Sequence, residues 1–278
     1  MTLSWSETFA GPAGSPPDPE YWTCCIDGGG GGNNEEEFYT PENAALDGSG
    51  LVITAQRDSQ YGRPFTSGKI WTKGKVEWRY GHLDVVASFP AVAGAWPAIW
   101  MLGANLDEVM WPGCGEIDVA EWFGGSPNAT DPRADNPLSV SGSMHSATDN
   151  PTAVYTLPQT AEASALHTYS LDWRPTSLIF SVDGNPYSTL LKKNLASWPF
   201  DKPQFLILNL AIGGTMGGAV PAAASFPLLM KVKSVSLWNA EVTTGPLSLV
   251  PCALSGFMLE SSRGRRRYSC WQRQVRWQ

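Results

Sequence analysis

Hydrophobic and polar positions alternate in short segments along most of this chain, from about residue 3 to residue 240. Alternation of this kind, in runs rich in β-branched and aromatic residues, predicts half-buried β-strands. The clearest strands are predicted at 51–55, 75–80, 83–87, 98–102, 168–173, 177–182, 205–211 and 232–238. No segment longer than two helical turns shows the spacing of apolar residues that is typical of an α-helix. The pattern therefore predicts an all-β protein.

Turn-forming residues separate the predicted strands, notably at Asp47-Gly48-Ser49-Gly50 and at Asp183-Gly184. An Asp-Gly pair between two apolar runs is typical of a tight two-residue hairpin. No internal repeat is visible. We expect two large antiparallel sheets packed face to face, with a groove across the concave one.

One predicted strand carries three carboxylates within the six residues Glu116-Ile117-Asp118-Val119-Ala120-Glu121. In an ideal strand Glu116 and Asp118 share a face, and Glu121 points to the other side. A one-residue β-bulge between Asp118 and Glu121 would bring all three to the same face. Two working carboxyl groups and a third that tunes them suit retaining glycoside hydrolysis. The alternative is that these acids are simply solvated, as acids on strands usually are.

Composition narrows the choice of partner. The 278 residues carry a net charge of −7, which argues against nucleic acid because phosphate binding relies on clustered Lys and Arg. The 28 glycines and 22 prolines favour short strands joined by turns. The 13 tryptophans exceed what core packing requires, since each buried indole N–H needs a partner. We expect about half of them to fill the core and the rest to offer flat faces to sugar rings.

Several other classes of function are not predicted. The five cysteines are an odd number and form no regular disulfide framework. The histidines His82, His145 and His167 lack zinc-site spacing, so we expect no catalytic metal. The first residues show no signal-peptide pattern. No stretch reaches the about 20 apolar residues that a membrane helix needs, so no membrane partner is expected.

Two segments stand apart from the strand pattern. Gly28 to Gly32 lacks the Lys-Ser/Thr continuation of a phosphate loop, and we expect a loop at the cleft rim. Residues 241–278 lose the strand alternation and concentrate arginines, namely Arg263, Arg265, Arg266, Arg267, Arg273 and Arg276. We expect a domain at 1–240 and a tail at 241–278 that is disordered or outside the fold. A basic arm for anionic polymers is the alternative.

Six segments occur in an order that is typical of one family. They are Trp5-Ser6-Glu7-Thr8-Phe9, Asn33-Asn34-Glu35 with Phe38-Tyr39-Thr40, Gly81-His82-Leu83-Asp84, Trp96-Pro97-Ala98-Ile99-Trp100-Met101-Leu102, Gly115-Glu116-Ile117-Asp118 through Glu121 after Trp111-Pro112, and Leu208-Asn209-Leu210-Ala211-Ile212-Gly213-Gly214. Over about residues 4–239 the chain resembles bacterial members of glycoside hydrolase family 16, in the laminarinase-like branch.

The resemblance implies a β-jelly-roll sandwich and endo-hydrolysis of a β-1,3-linked glucan with retention. By motif position, Glu116 would be the nucleophile and Glu121 the general acid, then base. Asp118 would lie between them and hydrogen-bond the nucleophile. One protonated and one ionised carboxyl group must coexist near neutral pH, so their environments must separate their pKa values. A third carboxylate raises at least one of these pKa values by like-charge repulsion.

The resemblance also implies substrate-binding positions at Trp96, Trp100, Trp111, His145, Asn34 and Glu35. The tryptophans would be stacking platforms beside the cleavage point. His145 resembles a family histidine on a neighbouring strand that hydrogen-bonds near the leaving-group side, although a lone histidine is more often structural. Asn34 and Glu35 resemble groups at the non-reducing end of the cleft.

The chain departs from the family pattern at two strands. Both arginines of the family's Y-G-R-x-E-A-R strand are missing from Gly81-His82-Leu83-Asp84-Val85-Val86. In the closing strand Lys233 replaces an aspartate that often helps the family bind a structural calcium ion. Lysine offers no oxygen ligand, so we expect this calcium to be absent or weakened, and no cofactor for catalysis. Family members are normally exported, which predicts an extracellular protein although no leader is seen.

Three functions remain open at this point. The leading one is an endo-β-1,3-glucanase that acts as a monomer on a laminarin-type polysaccharide. The same mechanism could act on mixed-linkage β-glucan, agarose or carrageenan, although the scarcity of Lys and Arg around the cleft motifs disfavours sulfated polymers. A non-catalytic glucan-binding module is the third, and the presence of both glutamates argues against it.

Overall fold

The computed structural model describes residues 1–123, 136–160, 162 and 164–245. Its strands, in chain order, are β1 (Leu3–Glu7), β2 (Thr23–Cys24), β3 (Glu37–Tyr39), β4 (Ala44–Leu46), β5 (Leu51–Ala55), β6 (Phe65–Ser67), β7 (Lys69–Trp71), β8 (Val76–Arg79), β9 (Gly81–Ser88), β10 (Ala95–Gly103), β11 (Glu116–Glu121), β12 (Ser139–His145), β13 (Thr152–Thr156), β14 (His167–Arg174), β15 (Ser177–Val182), β16 (Asn185–Leu191), β17 (Gln204–Ile212), β18 (Leu228–Trp238) and β19 (Glu241–Thr244). Helical structure among the described residues is limited to α1 (Gly214–Gly217) and the short 3-10 turns Pro41–Asn43 and Lys192–Asn194.

Seventeen of these strands form two antiparallel sheets. The first, which we name the outer sheet, has the order β16-β15-β14-β9-β18-β5-β4, and β1 also pairs with β18. The second, the cleft sheet, has the order β13-β12-β11-β10-β17-β7-β2, with β8 on β17 and β19 on β8. The strands β3 and β6 pair in parallel beside them. The predicted sandwich of two antiparallel sheets is confirmed.

One large apolar core lies between the two sheets. The cleft sheet contributes residues such as Ile99 and Leu208, and the outer sheet contributes residues such as Val85 and Leu171, all at most 1% exposed. The central strand β17 is buried at every position. Its alternate residues, including Phe205, join a second apolar cluster on the other side of the cleft sheet. Apolar side chains of β17 therefore lie on both faces of the cleft sheet.

The hydrophobic pattern located the main strands well. The predicted strands 51–55 and 177–182 coincide with β5 and β15, and the others differ from the observed strands by a few residues at the ends. The predicted hairpin at Asp183-Gly184 is also confirmed. Both residues have positive φ, at 49° and 75°, and the turn joins Val182 directly to its partner Asn185. Positive φ at both central residues is what a tight hairpin needs, and Asp-Gly tolerates it.

The boundary predicted at residue 240 is too early. Glu241–Thr244 form β19, which pairs with β8 from Glu241 opposite Arg79 to Thr244 opposite Val76. An ion pair joins Arg79 to Glu241, and Val242 packs against the core. This edge strand has only four residues, and the alternation of apolar and polar residues over so short a segment was not recognised in the sequence. Residues 246–278, with all the arginines of the predicted tail, lie outside the described residues.

The described part of the chain has no helix long and apolar enough to cross a bilayer.

Truncating Phe180 should test the packing between the sheets. Its ring, in β15, is fully buried, so Phe180→Ala should lower the free energy of unfolding by about 3–5 kcal/mol through lost burial and the cavity left behind. Urea unfolding measures the change. The control is Val154→Ala in β13, where the side chain is 44% exposed and the change should stay within about 0.5 kcal/mol. Equal effects of the two substitutions would contradict this view of the core.

Candidate active site

The predicted β-bulge is present in β11. Along β10, Ala98 pairs with Glu121 and Trp100 pairs with Asp118, and the register shifts between these pairs. Along β12, Ser143 pairs with Asp118 and Ser141 pairs with Glu121. Only Gly142 lies between those two serines, whereas two residues separate Asp118 from Glu121. One extra residue in β11 is the definition of a bulge.

The bulge sorts the strand into an apolar and an acidic face. Ile117, Val119 and Ala120 all belong to the core between the sheets, although Val119 and Ala120 are consecutive. Glu116, Asp118 and Glu121 consequently share the opposite face, which is the open face of the cleft sheet. Trp122 returns to the core, where it is 1% exposed.

Each of the two glutamates receives an indole N–H. Trp111 Nε1 donates to Glu116 Oε2 at 2.6 Å, and Trp96 Nε1 donates to Glu121 Oε1 at 2.9 Å. Trp96 reaches Glu121 because it lies two residues before Ala98, the cross-strand partner of that glutamate. Two of the three predicted tryptophans thus hold the carboxylates in position by hydrogen bonds.

Trp100 occupies a different position. It lies directly opposite Asp118 on the neighbouring strand, so the two side chains share the open face. Its indole N–H donates to Asn209 Oδ1 at 2.7 Å rather than to a carboxylate. The half-buried ring therefore forms part of the cleft floor beside the three acids.

His145 pairs with Asp118. Its Nε2 lies 3.1 Å from Asp118 Oδ2, and its Nδ1 lies 3.1 Å from Asn150 Oδ1. Burial disfavours the charged ring, but the hydrogen bond and the negative charge of Asp118 outweigh it and raise the pKa of His145 to about 10. The ring is therefore an imidazolium at neutral pH and places a positive charge beside the acidic cluster.

Burial and mutual repulsion act on the acids themselves. Burial, followed by the negative charge of Asp118, raises the pKa of Glu116 to about 8. Burial, followed by the charge of Glu121, also raises the pKa of Asp118. Like charges packed this closely cannot all ionise together near neutral pH. The cluster consequently retains a proton, in line with the expected repulsion by a third carboxylate.

Asn34 and Glu35 lie in the turn that follows the glycine run, next to the end of β17. Glu35 is buried, accepts a hydrogen bond from the Asn33 N–H at 3.1 Å and bridges to Gly213, just beyond the end of β17. Burial raises the pKa of its carboxyl group. Asn34 has a φ of 63° in the turn that follows the glycine run. Their role in substrate binding stays a prediction.

Four residues of the cleft were not singled out from the sequence as site residues. Asn209 lies between Ala98 and Lys69 across three strands, on the open face. Asn209 Nδ2 donates to the Tyr39 hydroxyl at 3.1 Å, and the Lys69 ammonium lies 5.1 Å from the Trp100 ring centroid. The fourth residue, Glu37, is buried beside Tyr39. An amide inside the apolar run of β17 was the available signal for Asn209.

Among the described residues, one set of three offers ligand atoms close enough for a metal ion. Glu116, Asp118 and His145 place these atoms within 4.8 Å of one another. A metal-bound imidazole must be neutral, whereas His145 Nε2 already faces Asp118 Oδ2 at 3.1 Å, a partner that favours the charged ring. The chemistry of this set therefore suits an ion pair with a proton-sharing carboxylate better than a metal centre.

Titration of the histidine rings should report the electrostatics of the cluster. By ¹⁵N NMR, His145 should remain an imidazolium through pH 8, and Asp118→Asn should lower its pKa because the negative partner is lost. His82 is the internal reference. Its pKa of about 9 arises from the hydrogen bond to Asp84 and from Asp172, and should not move in that variant. Titration of His145 near pH 6.5 in the unmodified protein would contradict the assigned ion pair.

The sequence was compared with protein families and with curated proteins. The model of glycosyl hydrolases family 16 matches residues 32–243. The chain is 33% identical over 241 residues to a β-glucanase of Rhodothermus marinus, which covers 78% of this chain and 77% of that protein. It is 35% identical over 193 residues to glucan endo-1,3-β-glucosidase A1 of Niallia circulans, which covers 64% of this chain and 27% of the relative.

Solved structures agree with these sequence matches. The laminarinase catalytic domain from Thermotoga maritima MSB8 superposes with a TM-score of 0.76 at 35% identity, over 85% of this chain and 97% of that one. The laminarinase from Rhodothermus marinus gives a TM-score of 0.75 at 34% identity, over 86% and 97%. The matched segment contains the bulged strand and every residue of the site described above. The chain therefore belongs to glycosyl hydrolase family 16.

Proposed function

We propose that this protein is a retaining endo-β-1,3-glucanase. The observation that carries the proposal is the bulge in β11, which places Glu116, Asp118 and Glu121 on the open face of the cleft sheet. The named activities of the similar β-glucanase, endo-1,3-β-glucosidase and laminarinases support the choice of linkage.

The two glutamates divide the reaction between them. Glu116 attacks the anomeric carbon and forms a glycosyl-enzyme bond, while Glu121 donates a proton to the departing glycosidic oxygen. Glu121 then removes a proton from water, which attacks the anomeric carbon and releases Glu116. The indole N–H groups of Trp111 and Trp96 hold these two carboxyl groups in fixed orientations.

Asp118 and His145 influence the ionisation state of Glu116. Glu116 must be ionised to attack, yet burial and Asp118 favour its protonated form. The positive charge of His145 opposes both effects and favours ionised Glu116. The His145 imidazolium, 3.1 Å from Asp118, limits the net negative charge that remains.

The floor of the cleft favours a neutral glucan. Beside the three acids, Trp100 provides an aromatic face, and Lys69 supplies one cation. A sulfated polymer would meet the three acids there, with only Lys69 and His145 to attract its sulfate groups. The same site could also cleave mixed-linkage glucan, but none of its contacts favours that substrate. A pure binding module is disfavoured because both glutamates are present and oriented.

The remaining properties follow as part of this proposal. Hydrolysis by Glu116 and Glu121 needs no cofactor, since both the nucleophile and the proton come from side chains. We propose that a structural calcium ion is absent or weakly bound at the closing strand, because Lys233 supplies no oxygen ligand. We further propose that the protein acts as a monomer and outside cells, where such polysaccharides are found.

Hydrolysis assays should identify the substrate and the nucleophile. The protein should release reducing sugar from laminarin, and Glu116→Ala should lower turnover at least about 1,000-fold because the covalent step is lost. With an aryl β-laminaribioside as substrate, azide should restore turnover of Glu116→Ala and give the α-glycosyl azide, in which the anomeric configuration is inverted. The matched control is Glu121→Ala, for which azide should give the retained β-azide. Full activity of Glu116→Ala would reject this nucleophile.

The pH dependence should expose the coupling of the acids. Because burial and Asp118 raise the pKa of Glu116 to about 8, the acid limb of kcat/KM should lie well above the ordinary carboxyl range. Asp118→Asn removes a neighbouring negative charge, favours ionised Glu116 and should move this limb to lower pH. Glu241→Gln, at the exposed pair with Arg79, should leave it in place. A shift to higher pH in Asp118→Asn would contradict the assignment.

A further inference from the structure

Residues 28–35, which we name the rim turn, are attached to the cleft sheet at the end of β17. Directly after the rim turn, the Glu36 N–H donates to the Ile212 carbonyl at 2.8 Å. Ile212 lies opposite the first residue of β10, which immediately precedes Trp96. The rim turn is therefore fastened at the end of the cleft sheet where the Trp96 indole orients Glu121.

The sequence of the rim turn makes its ordered shape costly. It begins with five consecutive glycines, the residues that lose the most conformational freedom on folding. Fixing the backbone of one residue costs about 1–2 kcal/mol in conformational entropy. At Gly31, where φ is 50°, a Cβ would collide with the Glu35 carboxylate, so a side chain is also excluded by the fold. Glycines bring no side chains of their own, and the turn has to be held by neighbouring groups.

Arg63 holds the two ends of the rim turn together. Its Nε donates to the Gly28 carbonyl at 2.8 Å, and its Nη2 donates to the same oxygen. Its Nη1 donates to the Glu35 carbonyl at 3.3 Å. The planar guanidinium offers several donors in a fixed fork, so one side chain can satisfy both carbonyls. Gly28 and Glu35 are the first and the last residue of the rim turn, and Arg63 closes it.

Further hydrogen bonds hold the backbone on both sides of Asn34. The N–H groups of Asn33 and Glu35 donate to the Gly30 carbonyl at 3.0 and 3.2 Å. The Asn33 carbonyl accepts from the Thr215 N–H at 2.7 Å and from the Thr215 hydroxyl at 3.0 Å. Asn34 itself is exposed and has a φ of 63°. The rim turn therefore presents the Asn34 side chain on a backbone that its neighbours fix.

We propose that Arg63 is a positioning residue that fixes the rim turn in the shape in which Asn34 binds the glucan. The proposal rests on the function proposed above and on the binding role predicted for Asn34. Arg63 acts through the backbone carbonyls of the rim turn and does not touch the sugar. A turn that is already ordered loses less conformational entropy when the polysaccharide binds.

The kinetic consequence follows from the predicted place of Asn34 at the non-reducing end of the cleft. A contact there is made equally in the bound ground state and in the transition state. Loss of such uniform binding raises KM and leaves kcat unchanged. Arg63 should therefore influence KM for laminarin rather than kcat.

Hydrogen exchange measured by mass spectrometry tests the holding of the turn without any activity. In Arg63→Ala, the amides of residues 28–35 should exchange at least about tenfold faster, the effect of losing one hydrogen bond to a charged group. Arg63→Lys should also accelerate exchange, because one ammonium keeps the charge but lacks the fork that spans both carbonyls. This second variant serves if Arg63→Ala does not fold.

The matched control is Arg57→Ala. Arg57 also donates to a backbone carbonyl, that of Pro221 at 3.0 Å, but it does not hold the rim turn. Its substitution should leave exchange of residues 28–35 unchanged. Unchanged exchange of these residues in both folded Arg63 variants, or equal acceleration in Arg57→Ala, would overturn the proposal.

A double-mutant cycle on laminarin tests whether Arg63 acts through Asn34. Arg63→Ala should raise KM about tenfold and leave kcat within about twofold. Asn34→Gly removes the amide and tolerates the positive φ, and in this background Arg63→Ala should raise KM less than about twofold. An equal rise in both backgrounds, or a loss confined to kcat, would contradict the positioning role.

Binding of laminarin separates this proposal from the proposed function. Laminarin should slow the exchange of residues 28–35 in the unmodified protein, and at equal concentration should slow it less in Arg63→Ala. If the unmodified protein does not cleave laminarin, the proposed function fails, while this protection still decides whether Arg63 positions a glucan-binding turn. Equal protection in both proteins would refute the role of Arg63.

Discussion

The site depends on one extra residue in the middle of β11. Without it, Glu121 would point into the core with Val119, and a buried carboxylate would face leucines and valines at a large desolvation cost. With it, Val119 and Ala120 both enter the core, and three acids face the cleft. The local backbone irregularity is therefore the condition for the chemistry, and the surrounding sheets hold it in register on both sides.

The tryptophans provide hydrogen bonds to the carboxylates that the bulge brings together on one face. Three acids on one crowded face repel each other and lose hydration, which favours their neutral forms. Indole groups displace water yet still donate a hydrogen bond. Trp96 and Trp111 use this property to orient one glutamate each, and Trp100 turns its N–H away to Asn209. Chemically identical side chains thus take different tasks according to what their single polar atom meets.

Sequence reasoning succeeded where the information is local. The spacing of Glu116, Asp118 and Glu121, set against the two-residue period of a strand, was enough to predict the bulge. Glu37, Lys69 and Asn209 could not be found in this way, because they are far apart in the chain and meet only through the pairing of β17 with its neighbours. The short β19 was missed for a different reason, since four residues carry too little alternation to distinguish a strand from a tail.

The absence of a side chain at Gly142 has a consequence for how such an enzyme can change. Gly142 lies opposite the bulge, and a Cβ there would stand 2.8 Å from the Phe180 ring of the other sheet. The extra residue of β11, the bare glycine of β12 and the ring of β15 therefore form one steric unit. A side chain at position 142 would therefore force Phe180 or β12 to shift, and with them the pairing that holds Asp118 and Glu121 in place.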